Sequence, residues 1–275
     1  NKPFLFEPGE KWAYNNSGYI LLGAIIEKVS GQSYESFIQK NIFEPLGLSH
    51  SFYDSTERVI PRRIPGYSRD KSGYVNAPYL SMTQPYAAGP LLSRVDDLSV
   101  WNAALLANKR LRPETLQKAW TPYKLKNGDS SGYGYGWQVS SYEEHFFVEH
   151  GGGIPGFASY ALSIPADGVY VAILVNSNAP NQTPGDLAFK IASLAIGKPY
   201  QDPKPVEVKP EKLEKLVGVY QISDKEERII TRDGARLFSQ RTGGTKYEIF
   251  PLSDPQFFFK GSLNRITFVK HTKGE

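Results

Sequence analysis

Residues 198–210, KPYQDPKPVEVKP, hold four prolines. Proline fixes φ, lacks a backbone N–H and clashes with a preceding helical turn, so neither a helix interior nor a central strand can cross this stretch. It reads as a semi-rigid linker that divides the chain in two. Residues 1–197 are enough for a full hydrophobic core, and residues 211–275 for a small partner domain.

The residue periodicity changes across the linker. Ahead of it, NNSGYILLGAIIEKVSG sets Leu22, Ile25, Ile26 and Val29 at helical spacing, with Asn16 or Ser17 as N-cap and Gly31 as stop. SYESFIQKNIF predicts a second helix, SRVDDLSVWNAALLAN a third capped by Ser93, and GDLAFKIASLAIG a closing one. Three runs, EEHFFVEH, FASYALSIP and GVYVAILVN, are dense in β-branched and aromatic residues with short gaps, which favours an antiparallel meander. Residues 61–90 read as a long, nearly structureless segment carrying Tyr67, Tyr74, Tyr79 and Tyr86, and segments of that size commonly border a binding site. Past the linker, LVGVYQI, ERIITRD, ARLFSQR, KYEIFPL, QFFFKG and RITFVKH are short alternating strands, with an Asp233-Gly234 hairpin signal. The expected fold class is α+β: an antiparallel sheet flanked by helices, then a small all-β domain.

Composition narrows the chemistry. The absence of cysteine excludes disulfides, thiol catalysis and thiolate metal sites. Net charge is +4; residues 198–275 carry 15 Lys/Arg against 11 Asp/Glu, and residues 1–197 carry 17 of each. No basic stripe interleaved with aromatic platforms is present, which argues against nucleic-acid binding. No apolar run is long enough to span a bilayer. The opening NKPFLFEPGEKW has no initiator methionine and no signal-peptide pattern, and reads as the interior of a longer chain.

Individually, the candidate reactive residues have plain structural readings. Tyr14 and Asn16 would be a packed phenol followed by a helix cap, and His150 a strand-end histidine. His145 and His150 lack zinc-ligand spacing. The order of motifs says more. FEPGEKWAYNNSGYILLGAIIEKVSGQSYESFIQKNIFEPLGL, then YGYGW, then EHGGGIPGF resembles the serine β-lactamase-like family, which holds class C β-lactamases, D-alanyl-D-alanine carboxypeptidases, D-aminopeptidases and related esterases; the resemblance covers about residues 1–197.

That resemblance implies an acyl-enzyme serine hydrolase of the β-lactamase and transpeptidase fold, acting without a cofactor on a small molecule or short peptide in a periplasmic or secreted setting. It makes Tyr14 a proton relay and Asn16 a ligand to substrate amide or lysine. His150-Gly151-Gly152 becomes the motif beside the cleft, its glycines leaving bare backbone for substrate, with the Gly153 N–H as an oxyanion donor. It also expects a Ser-x-x-Lys motif ahead of Tyr14, which this sequence lacks; the match at Ser68 and Lys71 falls in a polar loop. The nucleophile is therefore expected outside this chain, and the alternative is a non-catalytic binding protein that keeps the cleft. Histidine at position 150, where lactamases place a permanently charged lysine, further implies a preference for substrates without a critical carboxylate.

Overall fold

The computed structural model describes residues 3–55, 57–179, 182–223 and 226–269. The chain divides into two compact units, residues 1–199 and 200–275.

In the first unit, α1 (Asn16–Ser30), α2 (Tyr34–Ile38), a π-helical turn (Gln39–Phe43) and α3 (Glu44–Leu46) come first. Strand β1 (Phe52–Tyr53) pairs with β4 (Leu91–Leu92), and between them β2 (Tyr67–Asp70) and β3 (Gly73–Asn76) form a hairpin. Residues 61–90 are thus less irregular than their Gly, Pro and Ser content suggests, because four paired residues on each arm suffice for a hairpin. After α4 (Val95–Leu106) and α5 (Pro113–Ala119) come β5 (Gln138–Tyr142), β6 (His145–Ile154), β7 (Phe157–Ile164) and β8 (Val169–Val175), an antiparallel sheet in chain order, and then α6 (Pro184–Ala195).

The sheet's two faces have different partners. Glu149, Leu162 and Val171 stand side by side in register, as do Gly151, Tyr160 and Ile173. This face lies under α6, where Ala188 and Ala192 allow close approach to Phe147, Leu162, Ile164 and Val171. Each large side chain buried there contributes about 1.5–3 kcal/mol. The other face presents His150, Ala161 and Ala172 in one row and Gly152, Ser159 and Leu174 in the next.

Two helix details depart from the sequence expectation. The α1 stripe is in place, yet Leu21, Leu22, Ile25 and Val29 are exposed, Val29 at 82%. The buried residue of α1 is Gly23, where a Cβ would lie 2.3 Å from Ala87 Cβ and 2.9 Å from the Tyr86 ring. Helical spacing fixes which residues share a face and leaves open what covers them. At α4, Arg94 rather than Ser93 is the N-cap and makes no side-chain cap bond. Ser93 instead hydrogen-bonds Ser51, whose hydroxyl donates to the buried Asp97.

The second unit opens with α7 (Pro210–Glu214). A six-stranded antiparallel sheet follows in chain order: β9 (Gly218–Ser223), β10 (Glu226–Asp233), β11 (Arg236–Arg241), β12 (Lys246–Pro251), β13 (Gln256–Phe258) and β14 (Arg265–Thr267). Asp233 pairs with Arg236 across a turn in which Gly234 takes φ 60°, a left-handed conformation that favours glycine. Leu213, Ile230, Leu237, Ile249 and Phe257 form its core.

Candidate active site

The site begins where extended chain enters α1. Asn15 has extended backbone, φ −148° and ψ 115°, and its Oδ1 accepts from the N–H groups of Ser17 at 2.7 Å and Gly18 at 3.3 Å. Asn15, not Asn16 or Ser17, therefore satisfies the helix's orphan donors. Asn16 is left exposed as the first helical residue, with its amide not spent on capping. Tyr14, just before the cap, is 51% exposed.

The second component is the far half of β6. The strand does not turn at the glycines; it runs on to Ile154 and reverses at Pro155-Gly156, where Gly156 has φ 84°. β5 stops pairing at Gln138 opposite Glu149, so from His150 onward β6 has β7 on one side and no strand on the other among the described residues. The three glycines are bare for three reasons. A Cβ on Gly151 would lie 2.9 Å from the Tyr160 ring, and one on Gly152 would lie 2.7 Å from Ser159 Oγ. Gly153 faces open space, its nearest neighbour being the Phe157 carbonyl oxygen at 3.9 Å. At the first two positions the missing side chain makes room for protein side chains on the sheet faces.

His150 joins the two components. Its imidazole is 5.8 Å from the Tyr14 ring, centroid to centroid. Its Nε2 lies 2.8 Å from the Tyr133 hydroxyl, and its Nδ1 lies 2.6 Å from the Gly151 carbonyl oxygen. Tyr133 stands edge-on to both, 5.7 Å from the imidazole and 6.0 Å from the Tyr14 ring, with Trp12 5.2 Å away on its flank. Burial, a hydrogen bond with Tyr19 and the nearby phenols of Tyr19 and Tyr14 hold the Tyr133 hydroxyl well above the usual phenol range, so it stays protonated at neutral pH.

Tyr133 is the residue that motif reading passed over, although YGYGW contained it. In that loop Tyr133 is 7% exposed and Tyr135 71%. Gly134 lets the chain pass Ala119, whose carbonyl oxygen lies 2.1 Å from where a Cβ would stand. Gly136, at φ 80°, sits against the Tyr19 hydroxyl. The two glycines thus let the 131–137 loop pass close to Ala119 and to Tyr19.

Other candidates fall elsewhere. Tyr67 donates its N–H to Gly156 and Asn176 and clamps the tip of the β6–β7 hairpin, while Tyr86 packs against Gly23 and Tyr34. The phenols beside His150 are Tyr14 and Tyr133, not these two, and Tyr74 and Tyr79 are largely exposed. Ser68 lies on β2 opposite Val75, with Lys71 in the hairpin turn, so the pair shares no helix face. Glu149 points to the face opposite His150, where it meets Tyr160 and Ser140; burial raises its carboxyl, partly opposed by those two hydroxyls. Among the described residues no cluster of three or more His, Asp or Glu could hold a metal ion, and no helix is long and apolar enough to cross a membrane.

Comparison with known proteins gives the chain several relatives. The family model described as Beta-lactamase matches residues 1–196. Penicillin-binding protein 4* of Bacillus subtilis (strain 168) is 28% identical over 288 residues, covering 96% of this chain and 63% of its own length. The D-aminopeptidase of Gluconobacter oxydans (strain 621H) is 25% identical over 198 residues, covering 71% of this chain and 37% of its own. Among solved structures, the octameric penicillin-binding protein homologue from Pyrococcus abyssi superposes with a TM-score of 0.65 at 29% identity, over 94% of this chain and 61% of that one. The chain spans less than two thirds of the length of each.

Proposed function

The chain belongs to the beta-lactamase family, and from that membership we propose that it forms part of an acyl-transferring serine hydrolase whose nucleophile and its lysine lie outside these 275 residues. The substrate class is an ester, a D-amino-acid peptide or a related amide, the peptide in keeping with the name of the D-aminopeptidase. The observation that carries the reading is the convergence of Tyr14, Tyr133 and His150 beside the unpaired edge of β6.

In this reading Tyr14 receives the nucleophile's proton and returns it to the leaving group. A phenol titrates near 10, so the role requires cations at the site to lower it, and the absent lysine together with protonated His150 would supply them. Asn16, released from capping by Asn15, holds the substrate amide. A substrate lying along the free edge of β6 meets the backbone of Gly151 and Gly153. In an antiparallel strand a residue's N–H and C=O share a side, and alternate residues share it too. Gly153 thus aims its N–H as Gly151 aims its carbonyl, toward the imidazole side, which suits an oxyanion donor.

The test compares this chain with the longest native form of the protein, using chromogenic esters and D-aminoacyl amides. The longer form should turn over and lose about 10²–10⁴-fold in kcat on Tyr14→Phe, and this chain alone should be inactive. Turnover by this chain that disappears on Ser68→Ala would make Ser68 the nucleophile and overturn the reading. A longer form that binds these substrates without turnover would support a binding protein instead.

A further inference from the structure

One face of the second unit's sheet carries an arginine whose charge the described residues leave unmatched. Alternation along β10 puts Arg228, Ile230 and Arg232 on one face, and the register adds Arg241, Ser239 and Leu237 from β11 and Tyr220 and Gly218 from β9. Ile230 and Leu237 belong to the core, which leaves three arginines on the core-facing side of a sheet. Two of them have carboxylate partners. Arg232 meets Glu214 at 3.0 Å and donates to the Pro210 carbonyl oxygen, and Arg241 holds Glu226 at 2.5 Å. Arg228, half-buried, donates instead to a neutral acceptor, the buried Ser239 hydroxyl at 3.1 Å, and no carboxylate among the described residues lies within ion-pair distance of it.

Arg228 and Arg241 stand directly opposite each other in the β10–β11 ladder. Cross-strand partners have Cβ atoms about 4.5–5.5 Å apart, and like charges so placed repel. Burial and the Arg241 charge both disfavour the Arg228 cation, and Glu226 offsets part of that cost. Two guanidinium groups thus share the one carboxylate of Glu226. An arginine keeps its proton at any ordinary pH, so solvent or an anion must meet the remaining charge. The donors for an anion are present: a guanidinium has five N–H groups in a rigid fork, and Ser239 takes one of those on Arg228 while holding its orientation. The row beside them is open at Gly218, whose nearest neighbour to a Cβ position is the Tyr220 ring at 3.9 Å.

We propose that Arg228 and Arg241, with Ser239 orienting Arg228, form a binding site for a small oxyanion, a carboxylate or a phosphate group, on the sheet of the second unit. The anion accepts N–H groups from both guanidinium forks and cancels the repulsion between them. Two or more oxygens can accept parallel N–H groups, which a spherical halide cannot do. The site is built from residues of the second unit alone and stands apart from the hydrolase reading.

The experiment is a ¹⁵N–¹H titration of the arginine Nε signals of the full chain at pH 6.5, with sodium phosphate or sodium acetate replacing sodium chloride at constant ionic strength and Arg228→Lys and Arg241→Lys assigning the signals. The Arg228 and Arg241 signals should move together and saturate with phosphate, acetate or both, and the salt that saturates them names the group. Arg232, already paired with Glu214, should stay still. Arg228→Lys keeps the charge and loses the fork, and it should weaken binding, read at Arg241, by about tenfold or more. A response that never saturates, or that Arg232 follows to the same extent, is counter-ion screening alone and would overturn the proposal, as would undiminished binding in Arg228→Lys. The wild-type titration refutes the site by itself even if a variant fails to fold.

Discussion

In the second unit the core of Leu213, Ile230, Leu237, Ile249 and Phe257 comes from neighbouring hairpins and the short helix before them. In the first unit the sheet β5–β8 is also a meander in chain order, but its candidate-site face brings Tyr14 against Tyr133 and His150, from segments far apart in the chain. Both sheets follow the same pairing rules. The first must in addition hold distant segments at contact distance, and it does so with glycines that let backbone or ring approach: Gly23 under Tyr86 and Ala87, Gly134 under Ala119, Gly151 under Tyr160. Closing such long loops costs chain entropy that local hairpins do not incur.

The largest expected effect probes the independence of the two cores. Phe257→Ala removes a fully buried ring and should cost the second unit about 3–5 kcal/mol. The Tyr133–His150 NMR signals should persist to the wild-type melting temperature of the first unit. Simultaneous loss of both sets of signals would show that the units do not fold separately.

Next come the glycines. Gly134→Ala sets a methyl 2.1 Å from the Ala119 carbonyl oxygen, a backbone atom that cannot swing aside, and should destabilise the first unit by about 1–3 kcal/mol or more. Gly153→Ala meets only open space and should change urea-unfolding stability by less than about 0.5 kcal/mol. Equal losses at both positions would contradict the assignment of different roles to them.

A smaller effect separates two adjacent asparagines. Asn15→Ala removes the α1 cap and should cost about 1 kcal/mol. Asn16→Ala should stay within about 0.5 kcal/mol, because its side chain does not cap. Thermal melts of the pair decide the point, and a reversed order would return the cap to Asn16.

The smallest effect depends on pH. Burial raises the folded-state carboxyl of Glu149 above its unfolded value, so its contribution to stability is fully present below about pH 4.3 and is lost as pH rises through the folded value. Glu149→Gln cannot ionise. Its melting temperature should therefore improve relative to wild type between pH 4 and pH 8, and a constant difference across that range would exclude a strained carboxylate under the sheet.

Much of this fold was readable as local pattern. The stop of α1 at Gly31, the β6–β8 meander and the Asp233-Gly234 hairpin each depend on residues a few positions apart. The misses are equally specific. Strand β5, QVSSY, is polar because it lies at a sheet edge, and its pairing with β6 carries it. The helix cap moved by one residue because Asn15, Asn16 and Ser17 are all capping types, and only the extended backbone at residue 15 separates them. Of the residues beside His150, Tyr14 stood in a quoted motif, while Tyr133 was hidden inside YGYGW because its partner sits on a strand 17 residues away.

The sequence by itself determined the identity and period of the main elements and the residue types that could carry acid–base chemistry, since these follow from backbone restrictions and side-chain spacing within a few residues. Tertiary structure alone decided that the α1 stripe is exposed, that Gly151 and Gly152 make room for Tyr160 and Ser159, and that His150 meets two phenols and a carbonyl. The physical reason is range: hydrogen bonds and steric contacts act over about 3–4 Å, so residues distant in sequence acquire their roles only once folding has placed them at that separation.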